Sequence, residues 1–182
     1  VAAGAGVKVA KHGNRSASGK SGSADVFEAL GVNITLNSTG VIDCLEKVNI
    51  AFIFAPLFHP LMKIVGTVRK ELKIRTIFNL IGPLLNPLGV KRQIIGVASL
   101  EIAEKLSQVV QKLDYEHVWI IHSKDGMDEI SIYNETSVYE ITRGKIKKFL
   151  INPDDYNLKG KNRKDVYGKT IEESRNKLLG VL

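Results

Sequence analysis

Cysteine is nearly absent from this sequence of 182 residues, with Cys44 as its one example. A single thiol excludes an internal disulfide, and it leaves no partner for a zinc site built on paired cysteines. We therefore expect Cys44 to be a small side chain of the hydrophobic core.

Long apolar runs are also missing. Residues 51–57 and 118–121 are among the longest, and both are far shorter than the roughly 20 residues that cross a bilayer. The chain does not start with a charged segment followed by an apolar stretch, as a signal peptide does. The sequence therefore predicts a cytoplasmic protein with no membrane partner.

The chain has the composition of an ordinary globular protein, with 44% hydrophobic and 25% charged residues, and a net charge of +7. This predicts one domain with a sizeable core and an anionic partner, either a nucleic acid or a phosphorylated small molecule. The late lysines, between residues 145 and 164, are typical of a solvated face. Lys8, Lys11, Arg15 and Lys20 instead lie among glycine and serine, as in an anion-binding loop.

Apolar strand patterns alternate with amphipathic helical patterns through the first two thirds of the chain. Strands are predicted around Val7 and Val9 and at 51–55, 94–98 and 118–121, and helices at 23–31, around 41–48, from His59 to Leu72 and at 102–113. This alternation indicates an α/β fold with a largely parallel central sheet flanked by helices, and ligands are then expected after the strand ends.

The pattern changes after Glu129. Strand-like segments at 130–133, 137–142 and 147–151, with a turn at Arg143-Gly144, predict antiparallel additions to the sheet near the C-terminus. A helix is predicted over 170–182.

Two segments carry residue types suited to binding. Residues 11–23 combine cations, hydroxyls and glycines between a strand and a helix, which favours phosphate binding over a mobile surface loop. Asp128 and Glu129 follow a strand in a glycine-containing turn, where both could reach one Mg²⁺, although such a pair is also typical of a solvated turn. His59 follows a strand end and could overhang a pocket or be structural. Arg69, ten residues further on, could face that pocket or water.

These motifs together resemble those of the anthranilate phosphoribosyltransferases. The resemblance rests on Lys-His-Gly-Asn-Arg-Ser (11–16), Ser-Gly-Ser-Ala-Asp (21–25), Glu-Ala-Leu-Gly (28–31), Ala-Pro-x-x-His-Pro-x-Met-Lys (55–63), Arg-Thr-Ile-Phe-Asn-x-x-Gly-Pro-Leu-x-Asn-Pro (75–87) and Asp-Gly-x-Asp-Glu (125–129). It is strong to about Ile130 and looser beyond. It implies a nucleoside phosphorylase/phosphoribosyltransferase-like catalytic domain that transfers phosphoribose from phosphoribosyl pyrophosphate to anthranilate in tryptophan biosynthesis.

The resemblance also implies residue roles. Phosphoribosyl pyrophosphate would contact Lys11, His12, Gly13, Asn14, Arg15, Ser16, Ala17, Ser18, Gly19 and Ser23. Anthranilate would contact Asn14, Arg69, His12 and His59, with Arg69 suited to its carboxylate. Asp128 and Glu129 would hold Mg²⁺ on the pyrophosphate. No residue is assigned as a general acid or base.

Two departures from the family pattern bear on these expectations. Gly19 stands where family members often have serine, which removes one side-chain donor. The family's Gly-Thr-Gly-Gly-Asp loop and its helical N-terminal domain have no counterpart in the sequence. We therefore expect residues 1–182 to be the catalytic domain of a longer, homodimeric protein and to be nearly inactive alone.

Two alternatives stay open from the sequence. A pyrimidine nucleoside phosphorylase would share the fold and the ribose chemistry, but it does not account for Asn14, Arg69 and the acidic pair together. A relative that binds nucleic acid through its basic surface would not need those residues, and nucleic acid is the less favoured partner.

Overall fold

The structure is a computed structural model that describes residues 1–15, 22–62, 77, 80–158 and 167–181. The strands are β1 (Val9–Gly13), β2 (Ile50–Phe54), β3 (Arg92–Gly96), β4 (His117–Ser123), β5 (Thr136–Thr142) and β6 (Lys145–Ile151). The helices are α1 (Ser23–Ala29), α2 (Ser38–Lys47), α3 (Ala55–Phe58), α4 (Leu100–Val110) and α5 (Ile171–Leu179), with 3₁₀ turns at Gly82–Leu85 and Pro153–Tyr156. In the described ranges, no helix has both the length and the apolar character needed to cross a membrane.

The chain divides into two compact units, one of residues 1–88 with 166–182 and one of residues 89–165. In the first unit β1 and β2 pair in parallel, and in the second the strand order is β3-β4-β5-β6. The β3–β4 pair is parallel, and the two pairs that follow are antiparallel. The predicted α/β class, with parallel strands and antiparallel additions near the C-terminus, is confirmed.

The first unit is built around β2. Its residues 51–54 are all buried, and they alternate between two apolar clusters. Ala51 and Ile53 pack with Val41 of α2, whereas the two phenylalanines of the strand pack with Ala24 and Ile34. Both faces of β2 are therefore covered, as its uninterrupted apolar sequence predicted. Partly buried Cys44 packs against the Val41 cluster, so the expectation of a core thiol is confirmed.

The sheet of the second unit has its helix on one face. Helix α4 packs against β4 and β5. Ile95 and Ile120 are 2% and 0% exposed, whereas Ile94, which points to the other face of the sheet, is 63% exposed. The apolar sequence of residues 94–98, in a sheet predicted to be flanked by helices, is typical of a strand buried on both faces, and the exposure of Ile94 shows that this expectation is wrong. An isoleucine run alone does not reveal whether a helix covers each side.

The hairpin of β5 and β6 closes as predicted at Arg143-Gly144. Both residues have positive φ angles, 46° and 75°, which suit the tight turn of a two-residue hairpin. The predicted C-terminal helix is confirmed over a shorter range, and the Thr170 side chain caps it by accepting a hydrogen bond from the Glu173 amide.

Several predicted boundaries differ from the structure. Strand β1 continues through residues 11–13, which the sequence placed in a loop, and residues 130–133 form an irregular segment rather than a strand. Gly22, not Ser23, is the N-cap of α1. After His59 only residues 60–62 of the predicted helix are described, so Val65, Val68 and Leu72 lie outside the described residues.

We expect Ile120→Ala to lower the free energy of unfolding by about 2–5 kcal/mol, because it leaves a cavity at a fully buried position. The matched change Ile94→Ala, on the neighbouring strand, should cost about 1 kcal/mol or less. Urea unfolding of both variants measures the difference. Equal losses would contradict the assignment of the buried face.

Candidate active site

The predicted binding residues of the first unit meet at one edge of its sheet. Because β1 and β2 are parallel, their carboxyl ends lie side by side, with Gly13 paired to Phe54. From β1 the chain continues through Asn14 and Arg15, and from β2 it continues through α3 to His59. Two motifs more than forty residues apart in sequence are thus brought together after the strand ends, where α/β proteins bind ligands.

The side chains of His12 and His59 join these two motifs. Their Nε2 atoms are 3.1 Å apart, and the ring centres are 5.0 Å apart with the planes inclined at 71°. Both side chains are partly buried. The sequence left open whether His59 is structural or lines a site, and the structure places its ring directly against a residue of the candidate loop.

The pKa of His12 is lowered from its usual value. Burial of the ring is the largest cause, and the neighbouring His59 lowers the pKa further, while a hydrogen bond to the backbone of Gly82 acts in the opposite direction. The neutral form of His12 is therefore favoured near neutral pH.

Gly13 allows β1 to approach the start of α1. A Cβ atom at this position would lie 3.2 Å from Cζ of Phe52 and 3.3 Å from Oγ of Ser23, both tighter than an ordinary contact. The Ser23 hydroxyl therefore lies beside the end of β1, as a shared ligand site requires. The Asp25 carboxylate accepts a hydrogen bond from the Gly22 amide and holds this turn in place.

Arg15 and Asn14 are held in place by neighbours. The Arg15 amide donates to Oδ1 of Asn14 at 2.8 Å, which orients the asparagine side chain. The Arg15 guanidinium donates to Oε1 of Glu28 at 2.8 Å and lies 5.2 Å from the centre of the Phe54 ring. This ion pair is exposed, so it is a weak restraint that an incoming phosphate can compete with.

Part of the predicted binding set lies outside the described residues, namely Ser16, Ala17, Ser18, Gly19 and Arg69. Exposed Lys11 and the other members of the set up to Arg15, with Ser23 and His59, are described in the first unit.

The acidic pair Asp128 and Glu129 is exposed in the loop that joins β4 to β5 in the second unit. Lys124 and Glu135 close the base of this loop. The Lys124 amide donates to the Glu135 carbonyl at 3.0 Å, and the side chains of the two residues form an ion pair. Gly126 has a φ of 84°, which favours glycine in the turn just before the acidic pair.

A buried serine organises the same loop. Ser131 is 2% exposed, and its hydroxyl donates to Oδ2 of Asp125 at 2.8 Å. The amides of Tyr133 and Asn134 donate to the same hydroxyl, while the Ser131 amide donates to Oγ1 of Thr136 at 3.0 Å. The Ser131 hydroxyl therefore connects Asp125, which precedes the acidic pair, with Tyr133 and Asn134, which follow it.

Gly96 of β3 provides the room for this loop. A Cβ atom at Gly96 would overlap the carbonyl oxygen of Asp128 and lie 2.8 Å from its carbonyl carbon. Sequence reasoning missed this role, although a glycine within an apolar strand is a known sign that another backbone approaches closely. Gly82 and Ser131 were also missed, and nothing in their local sequence indicates the contacts that they make.

The acidic pair fits a magnesium ion that is shared with a phosphate ligand. Among the described residues, no group of three or more His, Cys, Asp or Glu side chains could hold a metal. Mg²⁺ commonly takes only one or two protein carboxylates and completes its shell with water and substrate phosphates. Asp128 and Glu129 supply such hard oxygen ligands at an exposed loop.

A family model described as "Glycosyl transferase family, a/b domain" matches residues 1–182, and the chain belongs to this family. Anthranilate phosphoribosyltransferase of Methylobacillus flagellatus is 46% identical over the whole chain and 53% of its own length. That of Rhodopseudomonas palustris is 52% identical over 87% of this chain and 47% of its own length. The chain thus spans about half the length of the curated relatives it matches.

Solved structures give the same result. The crystal structure of anthranilate phosphoribosyltransferase from Thermus thermophilus has a TM-score of 0.84 at 38% identity and covers 96% of this chain and 51% of its own. The Saccharomyces cerevisiae enzyme in complex with PRPP and Mg also has a TM-score of 0.84, at 30% identity over 95% of this chain and 48% of its own. The family resemblance expected from the motifs is confirmed.

We expect Gly96→Ala to displace the backbone at Asp128 and to destabilise the second unit by about 1–3 kcal/mol, because the added methyl group overlaps a main chain that cannot rotate away. Gly180→Ala is the control, since its Cβ would make only an ordinary contact at 3.5 Å. Hydrogen exchange of residues 127–131, measured with urea unfolding, checks both effects. Unchanged exchange in Gly96→Ala would disprove the close approach.

Proposed function

We propose that this chain provides the catalytic domain of an anthranilate phosphoribosyltransferase. The reaction transfers the 5-phosphoribosyl group from phosphoribosyl pyrophosphate to the amine of anthranilate, giving N-(5-phosphoribosyl)anthranilate and pyrophosphate, in tryptophan biosynthesis. The observation that carries the proposal is the meeting of the Lys11–Arg15 segment with Ser23 and His59 at one sheet edge. The names of the relatives, with identities of 46% and 52%, support the same reaction.

The donor would bind along the end of β1 and the segment that follows it. Lys11, Gly13, Asn14 and Arg15, together with Ser16, Ala17, Ser18, Gly19 and Ser23, offer cationic, amide and hydroxyl donors of the kind that bind phosphate groups. Asp128 and Glu129 would hold Mg²⁺. When bound, this ion neutralises charge on the departing pyrophosphate. A relative of this chain was solved with PRPP and Mg, which supports the use of this ion here.

The acceptor would bind beside the two histidines. His12 and His59 present partly buried rings at the same edge as the amide of Asn14. Arg69 would bind the anthranilate carboxylate through parallel charged hydrogen bonds. A yeast relative was solved with 4-fluoroanthranilate. Because the amine attacks as a neutral group, positioning and charge stabilisation suffice, and His12 acts as a contact rather than a base.

The proposal also covers the larger protein. Since the matched relatives are about twice as long as this chain, we infer that residues 1–182 are the catalytic domain of a longer protein. We further propose that this protein is a cytoplasmic homodimer. The family's glycine-rich pyrophosphate loop is not among these residues. We therefore expect residues 1–182 alone to give little turnover, and activity tests are best made on the whole protein that carries them.

The double change Asp128→Asn with Glu129→Gln tests the metal role. It keeps the shape of the side chains and removes both charges, so we expect kcat/KM to fall by roughly 10²-fold or more and the Mg²⁺ requirement to rise. Anthranilate fluorescence measures the rate. Asp43→Asn with Glu46→Gln is the matched control, because both acids are exposed on α2 in the other unit. An unchanged Mg²⁺ requirement in the first variant would refute the assignment.

Arg69→Ala tests the acceptor role. The loss of a charge-assisted contact, about 1.5–3 kcal/mol, should raise the KM for anthranilate by one to two orders of magnitude and leave that for the donor nearly unchanged. Arg69→Lys keeps the charge but not the paired geometry, so an intermediate KM is expected. Equal effects on both substrates would contradict the role. Phosphate-dependent release of uracil or thymine by the unmodified protein would overturn the proposed reaction itself.

A further inference from the structure

The Nε2 atoms of His12 and His59 lie 3.1 Å apart, a separation that suits a hydrogen bond and also two ligands of one metal ion. We propose that these two imidazoles form a binding site for a divalent transition-metal cation such as Zn²⁺. The site is separate from the magnesium pair: its donors are imidazole nitrogens on the first unit, whereas the carboxylates belong to the second. Imidazole favours Zn²⁺, Cu²⁺ and Ni²⁺, while carboxylate and water favour Mg²⁺.

The spacing of the nitrogens supports this site. The two Nε2 atoms are 3.1 Å apart. Two ligands held about 2.0–2.1 Å from a tetrahedral Zn²⁺ are separated by roughly 3.3 Å, so little movement is needed. The ring planes are inclined at 71° with their centres 5.0 Å apart, so the two imidazoles are not stacked.

The surroundings of the pair also fit. A metal-binding histidine usually donates its other ring N–H to a carboxylate or a backbone carbonyl, which fixes the ring and leaves the opposite nitrogen for the metal. His12 also hydrogen-bonds the backbone of Gly82. The strand pairing of His12 with Ile53 fixes its backbone, and the His59 amide donates to the Ala55 carbonyl at 3.0 Å.

The site would have two protein ligands and an open side. The described residues include no third His, Cys, Asp or Glu grouped with this pair. Water or small anions would complete the shell, whereas a catalytic zinc site usually has three protein ligands. If the proposed function holds, a cation bound here occupies the edge assigned to anthranilate, so it should inhibit in competition with the acceptor.

Calorimetric titration of the substrate-free protein with Zn²⁺ tests the site without reference to activity. We expect one binding event that is lost in His12→Gln and in His59→Gln. His117→Gln is the matched control, because His117 lies 2.8 Å from Glu140 and forms another nitrogen and carboxylate pair. This control should bind Zn²⁺ as the unmodified protein does.

Two other results would overturn the site: binding that survives both His12→Gln and His59→Gln, or binding that is lost in His117→Gln. Circular dichroism establishes that each variant is folded, and His59→Gln carries the test if His12→Gln does not fold. Titration with Co²⁺ gives a second signal, since the visible absorption bands of a tetrahedral site should appear in the unmodified protein and vanish in both variants.

Inhibition separates the metal site from the proposed function. Zn²⁺ should raise the KM for anthranilate and leave kcat unchanged. If calorimetry shows Zn²⁺ binding at the histidine pair but Zn²⁺ does not compete with anthranilate, the metal site is supported and the acceptor role of His12 and His59 is refuted. If Zn²⁺ does not bind and the protein still has transferase activity, the proposed metal site is refuted and the proposed function is not.

Discussion

The pairing of β1 with β2 is the constraint on which the candidate site depends. Parallel strands in this register place Gly13 opposite Phe54, so both chains leave the sheet at the same edge. The approach of His12 to His59, which follows β2, depends on this pairing. A shift by one residue would turn the side chains of β1 to the opposite face and separate the histidines.

Much of this arrangement could be predicted from the sequence, because the signals are local. A few residues are enough to identify each of three features: the glycine and serine segment, the apolar β2 and the Asp128-Glu129 turn. The alternation of strand and helix patterns then predicts where each feature lies in the fold. The family motifs added the residue roles. Their structural counterparts are the shared edge of β1 and β2 and the closed loop between β4 and β5.

What could not be predicted depends on partners distant in sequence. From the sequence, Ser131 belongs to a predicted strand. Its hydroxyl instead bonds to Asp125 and to the amides that follow, and these partners are not evident from the sequence. The exposure of Ile94 depends on which face of the sheet α4 covers. Successive residues of an apolar strand are hydrophobic on both faces, so the sequence does not indicate which face is covered. The link between His12 and Gly82 joins residues seventy positions apart, and no short-range pattern encodes it.

The close approach of β3 to the loop between β4 and β5 limits which substitutions position 96 can accept. Since the space of a single methyl group at position 96 is already filled by the main chain at Asp128, position 96 cannot gain a side chain unless the backbone of the loop moves. A lineage that acquires a side chain at position 96 must also change the path of the loop, and the same condition holds for an engineered protein that carries a different loop here. Gly96 thus restricts which loops the scaffold can accept, although it offers no ligand atom of its own.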